Sequence, residues 1–489
     1  MSLAVQLGIV VGYLVLALGI GVVAYRVTTR SAEDYYLASR TLGTVVLLFT
    51  TFATLLSAFT FFGGPNISYR AGPEWILVMG LMDGVLFGIL WYVIGFKQWV
   101  VGRAHDYVTL GEMLGDRFGS RGLRGLVAGI SLFWLFPYVM LQQMGAGTAL
   151  AGLTEGALPY WAGAGLVTLF MIVYVILAGM RGVAWTDTLQ GLFMLGMIWA
   201  AMLWVLATVG GPEVLSEGLG TNAPEFLALG GGLYTPQFII SQAVGIAFGV
   251  TMFPQVNQRF FVGKSATVLK RSFTLWPVLV ILLFVPAFLL GAWAKGLGVE
   301  VGESGNVLPV LLTQYAPGWF AALVIAGALA AMMSSSDSML LSGSSYFTRD
   351  LYRPFVDPQV SDRREDWLGR VGVAVFAVAA FVASLFQPGT LIDIGSTAFG
   401  GFAQLALPVM VALYWRRTTR TGMLAGVGGS QAAYLASVFT SLLPSTIGGW
   451  DFTLVGMLIG LVLTVGVSWA THAAPDEDRT VYFEGLEAD

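Results

Sequence analysis

The 489-residue chain has no cysteine and only two histidines, His105 and His472. Disulfide frameworks and thiol chemistry are therefore closed to it, and an all-histidine metal site is excluded. Charge is scarce too. Only 11% of residues are Asp, Glu, Lys or Arg, against roughly 25% in a soluble globular protein. The net charge of −4 says little about partners, and neither a nucleic-acid partner nor an obligatory protein partner is expected. No paired carboxylates, histidine cluster or nucleophile motif falls at one membrane depth, so the sequence does not read as an enzyme and calls for no cofactor.

What is present is apolar: 56% of residues are hydrophobic. That much apolar side chain needs lipid as its solvent, and a span takes about 20 such residues. Apolar runs fall near 4–25, 42–69, 74–96, 123–150, 160–179, 185–210, 236–255, 273–295, 319–346, 370–387, 391–415, 421–442 and 452–471. The first, Val5 to Tyr25, is long enough to span and is followed by Arg26 and Arg30, which predicts a retained helix rather than a cleaved signal. In alternate loops the basic residues segregate. One set holds 22 of the 24 Lys and Arg, and the other only Arg70 and Lys295. Basic loops stay in the cytoplasm, so thirteen spans are expected with the N-terminus outside and the C-terminus inside a bacterial-type inner membrane. Acids mark the outer loops: Glu155, Glu213, Glu217, Glu225, Glu300, Glu303 and Asp451.

Spans 2–6 and 7–11 form two sets of five around an outer loop. Five is odd, so the second set enters from the opposite side, as in an inverted-repeat transporter. The expected organisation is a first extra span and loop (1–40), repeat 1 (41–210), an external loop (211–235), repeat 2 (236–415), two peripheral spans (416–472) and an acidic cytoplasmic tail (473–489). The first helix of each such repeat is often broken at midplane. Gly63-Gly64-Pro65-Asn66 in span 2 and Phe253-Pro254-Gln255 at the end of span 7 are the expected breaks, although Gly and Pro are common in membrane helices anyway.

Ionisable groups at depth are functional candidates by default. Asp83, Asp187, Asp337 and Asp393 lie in or at the edge of spans, with no mid-span Lys or Arg to neutralise them. Span 9 carries Ser334-Ser335-Ser336-Asp337-Ser338, in which Ser334, Asp337 and Ser338 share a helix face. Hydroxyl and carboxylate oxygens suit an alkali cation; the competing reading is close helix packing through small residues. From position alone, Asp187 at the start of span 6 reads as an N-cap. Gln142 and Gln143, near Tyr138 in span 4, and Gln404 in span 11 could hold a solute or bridge helices.

Three segments carry a family resemblance: Ser57-Ala58-Phe59-Thr60-Phe61-Phe62-Gly63-Gly64-Pro65, Gly179-Met180-Arg181-Gly182-Val183-Ala184-Trp185-Thr186-Asp187, and Ser334-Ser335-Ser336-Asp337-Ser338-Met339-Leu340-Leu341 running into Thr348-Arg349-Asp350-Leu351-Tyr352-Arg353. Together, on a thirteen-span frame, they resemble the sodium:solute symporter family from about Tyr25 to Arg420. The resemblance implies a leucine-transporter-like all-α 5+5 inverted repeat, with sodium as the coupling ion and the only metal. It implies a shared sodium site at Ala53, Leu56, Ala331, Ser334 and Ser335. By similarity to sialic-acid-type relatives, it implies a second cation site at Asp187, Ser334, Asp337 and Ser338, with Asp337 standing where those relatives have serine.

Departures bear on the cargo. Position 55 is Leu, where proline symporters carry Asp and the sugar pattern has Asn. Met79 and Phe253 stand where sugar relatives place Glu and Asn. Phe62-Gly63-Gly64-Pro65 with Tyr69 is more similar to pantothenate symporters, and Pro137-Tyr138 with Leu141-Gln142 to monocarboxylate symporters. The expectation is a small carboxylate held by Ser57, Thr60, Tyr138, Gln142, Phe253 and Gln404, with no buried arginine to pair it. The alternatives are sodium/proline symport, proton coupling through Asp187 and Asp337, and, outside the class, a channel or sensor on the same fold.

Overall fold

The computed structural model describes residues 3–27, 36–302 and 305–473. Arg30, Glu303, Arg479 and nearly all of the expected acidic tail lie outside the described residues. The described residues are mostly helical. A first helix, α1 (Leu3–Val27), precedes a broken pair, α2 (Thr44–Leu55) and α3 (Phe59–Ala71), bent by 60°. Then come α4 (Leu77–His105), the short α5 (Leu110–Arg117), α6 (Arg121–Leu153), α7 (Tyr160–Leu177) and α8 (Gly179–Val209). The second half opens with another broken pair, α9 (Pro236–Thr251) and α10 (Pro254–Val262), bent by 56°. It continues with α11 (Ala266–Gly296), α12 (Gly318–Phe355), α13 (Asp362–Ser384) and α14 (Leu391–Tyr414), followed by α15 (Arg420–Phe439) and α16 (Phe452–Ala470). A small hairpin, Thr446–Ile447 with Trp450–Asp451, sits between the last two helices.

Among the described residues, ten single helices are long and apolar enough to cross a membrane, and counting each bent pair as one span brings this to twelve. The expected span not among them, the twelfth in chain order, is α15, whose 20 residues are long enough, while its glycines, Ser430 and Gln431 leave it less apolar. It packs along α16, where Thr464 and Ser468 leave no room for a side chain at Gly426 and Gly422.

Three expected boundaries are corrected. Span 2 breaks at Leu56-Ser57, before Gly63-Gly64-Pro65. The glycines serve close packing instead: a Cβ on Gly64 would lie 1.9 Å from the Phe288 ring. Span 7 does not end at Phe253-Pro254. Phe253 is extended (φ −57, ψ 135), as a residue before proline prefers, and Pro254 then starts α10. Spans 5 and 6 run as one helical stretch bent at Gly179 (φ 57, ψ −172). Span 6 therefore begins at residue 179, and Asp187 lies two turns inside it.

The loops sort onto two faces as their charges do. On one face, Arg40 donates to the carbonyls of Phe261 and Tyr107, Arg103 to Lys264, Arg117 to Trp415 and Arg420 to Phe118. On the other, Tyr69 reaches Val299, Tyr234 reaches Gly72, and the Asp451 amide reaches Ser241. Large exposed apolar side chains such as Leu16, Phe133, Leu203, Val278 and Val375 lie on the membrane-spanning helices between these faces.

At Gly249 in α9, a Cβ would sit 2.2 Å from the Phe399 carbonyl oxygen of α14. Backbone cannot swing aside as a side chain can. Gly249→Ala is expected to destabilise the folded protein by about 1–3 kcal/mol, visible as a lowered unfolding temperature in detergent.

Candidate functional site

Breaking α2 from α3 frees carbonyls that a continuous helix would use. Two serines of α12 reach them. Ser334 Oγ donates to the Ala53 carbonyl at 2.7 Å and to the Ala331 carbonyl at 3.0 Å, and Ser335 Oγ donates to the Leu56 carbonyl at 2.7 Å. All five residues expected to hold sodium thus meet at one point, fully buried. Three carbonyls and two rotatable hydroxyls form an uncharged cage of hard oxygens. A hydroxyl turned so that its lone pair faces inward converts each of these hydrogen bonds into a cation ligand.

One turn toward the basic face lies a second cluster, and it changes the expected picture. Arg259, assigned by sequence to a cytoplasmic loop, is carried inward on α10 and is 1% exposed. Its Nη2 donates to Asp187 Oδ2 at 3.0 Å, to Ser338 Oγ at 2.6 Å and to Thr50 Oγ1 at 3.1 Å. Its Nε reaches the Thr50 carbonyl and its Nη1 the Gln255 carbonyl. Thr50 and Thr54 also donate to Asp187 Oδ2, at 2.6 and 3.3 Å, and Thr54 meets Ser338 at 2.9 Å. Asp187 is therefore no N-cap, and the expectation that no basic residue sits mid-span to neutralise it is wrong. The error came from ending span 7 at its proline. Past Pro254, Val256 and Phe260 keep an i, i+4 apolar spacing that marks a continuing helix. Thr50 and Thr54, four apart on one face of span 2, were the matching signal.

The expected second cation set is only partly assembled. Asp187 and Ser338 share the guanidinium, and Ser334 faces the α2 carbonyls. The carboxylate of Asp337 is buried and makes no hydrogen bond among the described residues. Asp83 is likewise buried with no partner there, whereas Asp393 sits exposed in the first turn of α14, bonded to Thr390.

Of the expected solute residues, four come together at the start of α3. Ser57 Oγ lies 3.0 Å from the Tyr138 hydroxyl, Gln142 Oε1 accepts from the Ala58 amide at 2.8 Å, and Tyr138 meets Phe253 edge-on at 5.1 Å. Thr60 lies in the first turn of α3 and is buried. Phe399 and Phe402, absent from the expected set, complete the aromatic wall: Phe399 stacks on Phe253 at 5.6 Å and meets Phe59 edge-on at 5.0 Å. Gln404 is not brought here. It donates to the Gly400 and Thr453 carbonyls, bridging α14 to α16. Gln143 likewise bridges α6 to Ala377 of α13.

Above this layer, a cavity of about 820 Å³ opens on the acidic-loop face, lined by residues including Asn66, Trp75, Met144, Thr148, Phe238 and Asn306. The opposite end is tied shut. Glu112 of α5 takes Arg349 at 2.7 Å and Arg124 at 3.0 Å, while Arg124 also holds Asp350 at 2.8 Å. Burial pushes the Glu112 carboxyl up, but the two guanidiniums outweigh it and hold it below the usual glutamate value. Glu112→Gln removes the shared anion, and charge-assisted bonds are worth about 1.5–3 kcal/mol. In the otherwise cysteine-free chain, a probe cysteine at the buried Ser345 is expected to react with a thiol reagent from the basic face roughly 10-fold faster in that background.

The model of the sodium:solute symporter family matches residues 35–429. The chain belongs to the sodium:solute symporter family. It is 29% identical to the sodium/pantothenate symporter of Escherichia coli K12 over 96% of this chain and 98% of that protein. It is 27% identical to the osmoregulated proline transporter of Bacillus subtilis 168 (96% and 95% covered) and 24% identical to a monocarboxylate transport permease of Rhizobium johnstonii (96% and 96% covered). Among solved structures, its fold matches a Na+-coupled sialic acid symporter in a substrate-bound outward-open state, with a TM-score of 0.78 at 21% identity over 96% of this chain and 99% of that one. This sodium:solute symporter therefore has the leucine-transporter-like fold, and it is a multi-pass sodium-coupled solute transporter. Members of the family are transporters rather than enzymes.

Proposed function

We propose that this symporter imports a small carboxylate by alternating access across a bacterial inner membrane. One sodium would be held by the carbonyls of Ala53, Leu56 and Ala331 and the hydroxyls of Ser334 and Ser335. The carrying observation is at the start of α3. Two of its free amides are met by neutral side-chain acceptors: Gln142 Oε1 on Ala58 and Ser57 Oγ on Phe59 at 3.2 Å. A helix N-terminus favours an anion, and a carboxylate is a stronger acceptor than either of these groups. Leu55, in place of an acid, leaves nothing at that position to hold a cationic amine. Phe253, Phe399 and Tyr138 supply an apolar wall for a short carbon chain. Arg259 is spent on Asp187, so the amides rather than a guanidinium receive the anion.

Sodium entering from the acidic-loop face would join α2 to α12 next to the chamber, ordering the break and tightening the solute, and the solute would tighten sodium reciprocally. At −100 mV one inward charge supplies about 2.3 kcal/mol. Proteoliposomes with an inward sodium gradient are expected to take up labelled pantothenate, lactate or pyruvate, with competition among carboxylates. Uptake of proline alone would sink this reading. A proton-coupled reading is favoured by one observation, the buried and unbonded Asp337. Uptake driven by a pH gradient with sodium absent would support it over the sodium reading.

A further inference from the structure

We infer that Arg259 is a tethered cation occupying the position a second sodium would need, so that the wild-type chain binds one sodium ion. This rests on the sodium site proposed at Ser334 and Ser335. The Nη2 atom lies 2.6–3.1 Å from three oxygens supplied by three separate elements: Thr50 of α2, Asp187 of α8 and Ser338 of α12. An alkali ion bridging the same helices would claim those lone pairs and that carboxylate. Here they are filled by a positive charge that cannot leave, because α10 carries it and the Gln255 and Thr50 carbonyls hold its other nitrogens. A mobile ion alongside it would place two cations within a few ångströms in a buried, weakly screened setting. The first sodium site is set apart from the guanidinium, its ligands lying about one turn beyond Thr50 on α2 and one turn before Ser338 on α12.

The guanidinium also joins moving parts without being transported. Asp187 and Thr50 lie in repeat 1, while Arg259 and Ser338 lie in repeat 2. The link a second coupling ion would make between the two repeats is thus made by a side chain, and its charge does not count toward the transport stoichiometry. Removing the guanidinium leaves oxygens in place to bind an ion: both oxygens of Asp187, the Ser338 hydroxyl and the unbonded Asp337 carboxylate.

The test is the number of 22Na+ ions bound per purified full-length chain at saturating sodium, which needs no knowledge of the solute. One ion is expected for wild type, two for Arg259→Ala, and one again for Arg259→Lys, which restores a tethered cation. Thermal unfolding of Arg259→Ala should shift upward with sodium more than that of wild type. Two ions on the wild type overturn the inference, as does one ion on Arg259→Ala when that ion is lost on adding Ser335→Ala. No ion on the wild type overturns the sodium-site reading itself, a result distinct from the other two.

Discussion

Asp187→Ala is expected to destabilise the folded transporter by about 3–5 kcal/mol, because it strands a guanidinium that is 1% exposed. Deleting one partner of a buried ion pair costs far more than deleting both. The remaining charge keeps its desolvation penalty and loses the attraction that offset it. Arg259 would retain Thr50, Ser338 and the Gln255 carbonyl, which are neutral acceptors. They satisfy its hydrogens without neutralising its charge. The double variant Asp187→Ala/Arg259→Met should recover most of the loss, since apolar replacement of a whole buried pair is often close to neutral. Unfolding temperatures of the three proteins in the same detergent decide it. A double variant no more stable than the single one would show that the pair is not the source of the effect. Asp187→Asn keeps an acceptor for Thr50 and should fall between wild type and alanine.

Ser335→Ala is expected to raise the sodium concentration for half-maximal uptake by roughly 10- to 150-fold. A polar contact to a charged group is worth about 1.5–3 kcal/mol, and each 1.4 kcal/mol is tenfold. Among the described residues Ser335 is bonded only to the Leu56 carbonyl, whereas Ser334 divides its hydroxyl between Ala53 and Ala331. Both alanine substitutions should act, and the double substitution should remove sodium activation altogether. The check is uptake against sodium concentration, with the unfolding temperature measured in parallel. A fall in uptake at unchanged sodium half-saturation would assign the serines to helix packing instead. Asp337→Asn should alter cation choice more than solute preference.

Much of this was legible in the sequence. Loop charge segregation separated the two faces. That the first helix of each half is broken was foreseen, but the expected place held only for span 7, where the break occurs at Phe253-Pro254 because the proline ring forces extended backbone before it. The run Ser334-Ser335-Ser336-Asp337-Ser338 stood out because a polar stretch inside an apolar helix must find partners within the membrane.

Other features were beyond local pattern. Gly63-Gly64-Pro65 looked like the break in span 2 because weak helix formers look alike whether they end a helix or admit a neighbour. Only the position of Phe288 separates the two. Gln404 looked like a solute ligand because a buried amide needs partners, and sequence does not say that α16 supplies them. The plainest case is Arg259. Ending span 7 at its proline turned a membrane arginine into a loop arginine, and Asp187, 72 residues earlier, was left unpaired on paper. By itself, then, the sequence determined the membrane class, the two faces and the oxygen-rich segments, because these follow from transfer energies and helical spacing within a single segment. Tertiary structure alone decided that Asp187 already has its cation, since that pairing depends on how α2, α8, α10 and α12 converge on one point.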